Sequence, residues 1–260
     1  MSADAIHVLG KDGKAVELTK VNDTTYTFKM PACDVNVSGA VIDLRLNTTD
    51  HFAYIQGYPD GTFQPSGGLT RAEAATIFYR LLLDTSLTKS VTFSDVKAGS
   101  WYETAVKVLA SKGVIAGYPD GSFKPNATIT RAEAASIFYR LLTDTTRRTY
   151  TTSYNTFKDV PAKAWYNTAV STMAKLGIVN GGSDGYFRPN DPITRAEFAA
   201  IAARFDEHKA AKLASFTDIY GHWAISEISL AYENGWIKGY SDGTFRPNRN
   251  ITRAEAMALI

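Results

Sequence analysis

GYPDGTFQPSGGLTRAEAATIFYRLL, residues 57–82, is repeated sixty positions later as GYPDGSFKPNATITRAEAASIFYRLL, residues 117–142. Working outward from this pair, an Asp-Gly and a Thr-Arg step recur four times. The pairs are Asp60-Gly61, Asp120-Gly121, Asp184-Gly185 and Asp242-Gly243, and the arginines are Arg71, Arg131, Arg195 and Arg253. Both series advance by 60, 64 and 58 residues, so a whole unit has been duplicated. Thr70, Thr130, Thr194 and Thr252 fit helix N-caps, with Glu73, Glu133, Glu197 and Glu255 three residues on. That spacing is a capping box, in which Thr caps the third amide and Glu reaches back to the Thr amide. Each cap contributes about 1 kcal/mol. The apolar stripe that follows, such as Ala74, Ile77, Phe78 and Leu81, exceeds what one helix-loop-helix unit can bury, so units must pack on one another.

Three units carry a front half, beginning FSDV at Phe93, FKDV at Phe157 and FTDI at Phe216. Each reads as an amphipathic helix, with Trp101, Ala105, Val108 and Leu109 on one face, and Trp165, Ala169, Val170 and Met173 on the next. Gly113, Gly177 and Gly235 read as glycine stops. The Asp-Gly pairs read as tight turns, and Asp95, Asp159 and Asp218 as N-caps of the front helices. Residues 1–47 differ: KAVELTKV, TYTFKM and VNVSGAVIDL are rich in Val and Thr and read as short strands. The expected layout is a β segment at 1–47, a partial repeat at 48–84, full repeats at 85–145 and 146–206, and a truncated repeat at 207–260.

The 260 residues carry 28 basic and 26 acidic side chains, a net charge of +2, with no basic run suited to nucleic acid. No apolar stretch approaches the roughly 20 residues of a membrane span. Cys33 is the single cysteine, so no intrachain disulfide forms. The opening MSADAIHVLG lacks signal-peptide regions, and TRAEAMALI stops soon after Thr252; both fit a fragment of a longer secreted chain. His7, His51, His208 and His222 are scattered, and each Asp-Gly loop brings one carboxylate where a calcium loop needs several. No catalytic residue, metal site or cofactor is read from the sequence.

The capping box leaves the arginines unexplained, because the first helical position sits at the positive end of the dipole. Two readings stay open. In one, free amides and a guanidinium converge on a carboxylate or phosphate. In the other, each Arg pairs with the Asp of the preceding turn. Trp101, Trp165 and Trp223 read first as core, with an exposed edge that could face a sugar ring. Trp236 falls outside their register and reads as packing.

The combined pattern FxD[VI]…W…G[VI]…GYxDGxFxPN…ITRAE resembles the S-layer homology family, from Asp50 to Ile260. The resemblance implies a mainly α fold, with repeats packed as a pseudo-threefold spindle and ligand grooves between modules. It implies non-covalent anchoring to the bacterial cell wall, extracellularly, by binding secondary cell-wall polysaccharide that bears pyruvate ketals. It places the ligand on Arg71, Arg131, Arg195 and Arg253, on Asp60, Asp120, Asp184 and Asp242, on Gly61, Gly121, Gly185 and Gly243, and on Trp101, Trp165 and Trp223. The first unit lacks the front-helix Trp, and the third has Gly182 where others have Tyr. Two alternatives remain: a self-assembly module that packs on copies of itself, and the anchor region of a larger secreted glycan-degrading enzyme.

Overall fold

The computed structural model describes residues 6–10, 16–17, 19–22, 25–29, 35–39, 67–205 and 212–258. In the N-terminal part, β1 (Ile6–Gly10) pairs antiparallel with β4 (Val35–Gly39), and β2 (Thr19–Asn22) with β3 (Thr25–Thr27). The rest of the described chain is helical: α1 Arg71–Leu81, α2 Glu103–Ser111, α3 Arg131–Leu141, α4 Asp144–Tyr150, α5 Asn167–Lys175, α6 Arg195–Phe205, α7 Ile225–Glu233 and α8 Arg253–Ala258.

The Thr-Arg-Ala-Glu segments start α1, α3, α6 and α8, and each carries the expected capping box. Thr70 Oγ1 accepts from the Glu73 amide at 3.3 Å, and Glu73 Oε2 accepts from the Thr70 amide at 2.9 Å. The same reciprocal bonds join Thr130 to Glu133, Thr194 to Glu197 and Thr252 to Glu255.

The residue before each cap closes a ring. The Ile129 amide donates to the Leu69 carbonyl at 3.0 Å, Ile193 to Ile129 at 3.3 Å, Ile251 to Ile193 at 3.0 Å and Leu69 to Ile251 at 3.1 Å. The circuit therefore has four members, where the resemblance implies a grouping of three. The physical reason is that the shortened first unit still brings a complete Leu-Thr-Arg-Ala-Glu corner, and that corner is all the ring requires. The four ring residues are buried. Beneath them the α1, α3 and α6 phenylalanines meet: Phe78 lies edge-on to Phe138 at 5.2 Å, and Phe138 to Phe198 at 5.9 Å. One contiguous core thus spans all the repeats.

Helices pack α1 on α2, α3 on α5 and α6 on α7. The first three Thr-Arg-Ala-Glu helices therefore each pack on the front helix of the following unit, across the sequence repeat boundary. The front helices end in Schellman motifs. In α2 the Gly113 amide donates to Ala110 and the Val114 amide to Leu109, at 3.0 and 2.8 Å, with Gly113 at φ +70°. Gly177 and Gly235 end α5 and α7 the same way. The front aspartates do a different job from the expected N-cap. Asp95 accepts from the amides of Phe123 and Lys124 at 2.7 and 2.8 Å, and Asp159 and Asp218 repeat this on residues 187–188 and 245–246. Lys124, Arg188 and Arg246 have φ of 56, 57 and 58°, so each carboxylate clamps a left-handed turn that its side chain disfavours. The helix-start positions themselves (Tyr102, Tyr166 and Ala224) make no side-chain cap bond.

Candidate functional site

The four arginines are buried, at 4–9% exposure, and point along the ring. Arg71 pairs with Glu133, Arg131 with Glu197, Arg195 with Glu255 at 2.5 Å and Arg253 with Glu73 at 3.4 Å. Each pair joins one unit to the next, and the last returns to the first. The glutamates are shared: in Glu133, Glu197 and Glu255, Oε2 caps the residue's own helix while Oε1 receives the preceding unit's Arg. In Arg71, Arg131 and Arg195 the Nε and Nη2 donors go to backbone carbonyls. Arg71 Nε donates to the Phe123 carbonyl at 2.7 Å, and Arg131 and Arg195 do likewise to Phe187 and Phe245 at 2.7 and 2.9 Å. Each guanidinium also lies over that phenylalanine ring, 4.3–4.6 Å from its centre.

This differs from both readings left open by the sequence. The partner is the next unit's capping glutamate, not the turn aspartate. The helix starts also have few amides to offer an anion. The Arg71 and Ala72 amides donate to the carbonyls of Ala127 and Pro125, both at 2.9 Å, and the Glu73 amide is capped by Thr70. The Arg131 and Arg195 starts repeat this on residues 189–191 and 247–249, and the Arg253 amide donates to Gly67.

Asp120, Asp184 and Asp242 lie exposed in their turns. Asp120 accepts from the Ser122 amide and hydroxyl, at 2.9 and 2.6 Å, and Asp242 from Thr244 in the same way. Asp184 pairs with Arg188, and Asp242 with Arg246 at 2.8 Å. Gly121, Gly185 and Gly243 turn the chain at φ near +80°. Asp60 and Gly61 lie outside the described residues. Trp101, Trp165 and Trp223 are 46%, 59% and 53% exposed, against the core reading. They precede α2, α5 and α7, so the helix's buried face does not carry them inward. Trp236 packs partly buried on the core, as read.

Among the described residues, two grooves lie beside Trp165 and Trp223. The first, about 390 Å³, runs along α3 to Trp165 and is lined by Arg71, Tyr118, Glu133, Ser136 and Arg140 among others. The second, along α6 to Trp223, encloses only about 20 Å³ and is lined by Arg131, Glu197 and Arg204 among others. So the structure brings Arg71 together with Trp165, and Arg131 with Trp223. None of Asp120, Gly121, Asp184 and Gly185 lines either groove.

Arg140 and Arg204 were missed by the sequence reading. Their signal was present: an Arg recurs ten residues after the capping Thr at positions 80, 140 and 204. Arg204 donates from Nε and Nη2 to Glu227 at 2.9 and 2.5 Å, and from Nη1 to the Ile178 carbonyl at 3.1 Å. It also lies over Trp223, 5.7 Å from the ring centre. Arg140 keeps only a long bond to the Val114 carbonyl, 3.4 Å, and no carboxylate among the described residues pairs with it. Burial lowers the pKa of Arg140, the largest effect on it, in the absence of a counter-charge.

Acid sensitivity is expected at the Glu255 corner of the ring. Burial pushes the Glu255 carboxyl up, but bonds from Tyr240 and Thr252 and the charge of Arg195 outweigh it and hold the pKa below 4.5. A depressed carboxylate stabilises the fold above its unfolded pKa, and that stability is lost as pH falls through the folded value. The melting temperature is therefore expected to fall as pH drops below about 4.5. In Glu255→Gln part of that acid dependence disappears, a change that thermal melts between pH 6 and 3 record.

The sequence pattern for the S-layer homology domain matches residues 53–75, 92–135, 156–199 and 215–257. Three relatives extend the comparison. A cellulosome-anchoring protein of Acetivibrio thermocellus is 34% identical over 90% of this chain and 39% of its own length. An amylopullulanase of Thermoanaerobacterium thermosulfurigenes is 34% identical over 82% of this chain and 11% of its own. An S-layer protein of Bacillus licheniformis is 33% identical over 65% of this chain and 19% of its own. The chain thus spans less than half the length of each of these relatives. With the motif matched at all four corners of the ring and over most of the helical region, the chain belongs to the S-layer homology domain family.

Proposed function

We propose that this chain anchors a surface protein to the bacterial cell wall by binding a pyruvylated secondary cell-wall polysaccharide in the grooves beside its tryptophans. The observation that carries the reading is the 390 Å³ groove that joins a half-exposed Trp165 to the guanidinium of Arg140. A flat aromatic edge suits a sugar face, and a guanidinium suits the ketal carboxylate. The relatives named for cellulosome anchoring and for the S-layer support a place at the cell surface. The amylopullulanase supports the same module serving as the anchor of a longer enzyme. On this reading Arg71 and Arg131 each line one groove, Trp165 and Trp223 supply the contact faces, and Arg195, Arg253, Asp120 and Asp184 line neither.

The test is co-sedimentation with purified wall sacculi, before and after mild-acid removal of pyruvate. Retention that drops at least about tenfold after treatment is expected, the loss of one charge-assisted contact. Absence of retention on untreated walls overturns anchoring, and equal retention on both overturns the pyruvate assignment.

A further inference from the structure

The two grooves are built from equivalent residues, yet one is open and the other nearly filled. Trp165 corresponds to Trp223 and Arg140 to Arg204, each at the same distance from its unit's capping threonine or helix-stop glycine. By the same register, the residue four places after the Trp is Ala169 in the first groove and Glu227 in the second. Glu227, on α7, holds the Arg204 side chain by two bonds, bridging α6 to α7. Ala169 is buried and offers nothing to Arg140.

The first groove also contains an unsatisfied hydroxyl. Ser136 is 3% exposed, lines the groove, and its Oγ has no hydrogen-bond partner. At the equivalent position the second groove has Ala200. A buried hydroxyl without a partner costs on the order of 1–3 kcal/mol unless something supplies one. The other charges lining the first groove, Arg71 and Glu133, neutralise each other. Arg140 is therefore the uncompensated cation of that wall.

We infer that the first groove is the binding-competent one, with Arg140 receiving the ligand carboxylate and Ser136 bonding to a ligand polar atom, while Glu227 serves in the second groove as a built-in carboxylate that occupies Arg204. This rests on the reading that the grooves bind an acidic glycan, and it assigns which groove does so and what shuts the other. The residue four places after the Trp is then the selector: small opens a groove, acidic closes it.

The probe is a methyl glycoside carrying a pyruvate ketal, titrated calorimetrically, with the ketal-free glycoside as control. Of these two grooves, the unaltered chain is expected to bind the ketal only at the first. Ala169→Glu supplies Arg140 with an internal partner and is expected to weaken binding by about 10- to 100-fold, and Arg140→Gln by a similar factor. Glu227→Ala is expected to raise the stoichiometry by one equivalent. Melting curves check that each variant is folded. Ala169→Glu copies the natural arrangement at Glu227, so it keeps the test valid should Arg140→Gln fail to fold. If the chain sediments with walls in a pyruvate-dependent way but Ala169→Glu and Arg140→Gln bind the ketal unchanged, the groove assignment is overturned and anchoring stands. If it binds neither walls nor ketal, both readings fall.

Discussion

Arg195→Ala is expected to destabilise the fold by about 3–5 kcal/mol, the cost of breaking a buried ion pair from one side. Arg195 is 4% exposed, and its removal leaves Glu255 without its cation and the Phe245 carbonyl without a donor. Against a domain stability of about 5–15 kcal/mol, that is a large share. Arg195→Lys is expected to recover little of it, because one ammonium cannot serve the carboxylate, the carbonyl and the aromatic face together. Arg195→Ala with Glu255→Gln is expected to be less damaged than Arg195→Ala alone, since the stranded charge is gone. Denaturant midpoints measure all three. A loss below about 1 kcal/mol for Arg195→Ala would mean the ring is ornamental. Arg195 lines neither groove beside Trp165 and Trp223, so this variant tests scaffold and not ligand contact. Removing all four ring arginines is expected to abolish folding, which makes such a protein uninformative about wall binding.

Phe138→Ala is the second large loss, about 3–5 kcal/mol from lost burial and the cavity left behind. Phe138 is 4% exposed and touches three other rings: Phe78 at 5.2 Å, Phe198 at 5.9 Å and Phe205 at 5.6 Å. With Phe138 itself they come from three successive units, so the cavity would open where the repeats meet. The expected result is a lower midpoint with a single transition retained, seen alike by tryptophan fluorescence and far-ultraviolet circular dichroism. Separate transitions in the two signals would show that the units melt one at a time, against a core shared by all of them.

Both experiments act on contacts between units, and there the sequence was least legible. The capping boxes at Thr70, Thr130, Thr194 and Thr252 and the stops at Gly113, Gly177 and Gly235 were readable because donor and acceptor lie within a few residues. The tryptophans were misjudged because the helix begins two residues after Trp101 and Trp165, and a residue in the entry turn need not follow the helix's buried face. The front aspartates were misjudged for a related reason: their amide partners lie nearly thirty residues away, in a turn whose left-handed backbone shows only in three dimensions.

What the sequence by itself determined is the repeating unit, its helix starts and stops, and the family, all consequences of short-range hydrogen bonding copied at a near-constant interval. Only the tertiary structure decided that Arg71 reaches a glutamate 62 residues further on, and that four corners close into one circuit. It also decided that Arg204 meets Glu227 while Arg140 meets no carboxylate among the described residues. An arginine is charged wherever it stands; whether that charge is already answered depends on which side chain of another unit the packing sets against it.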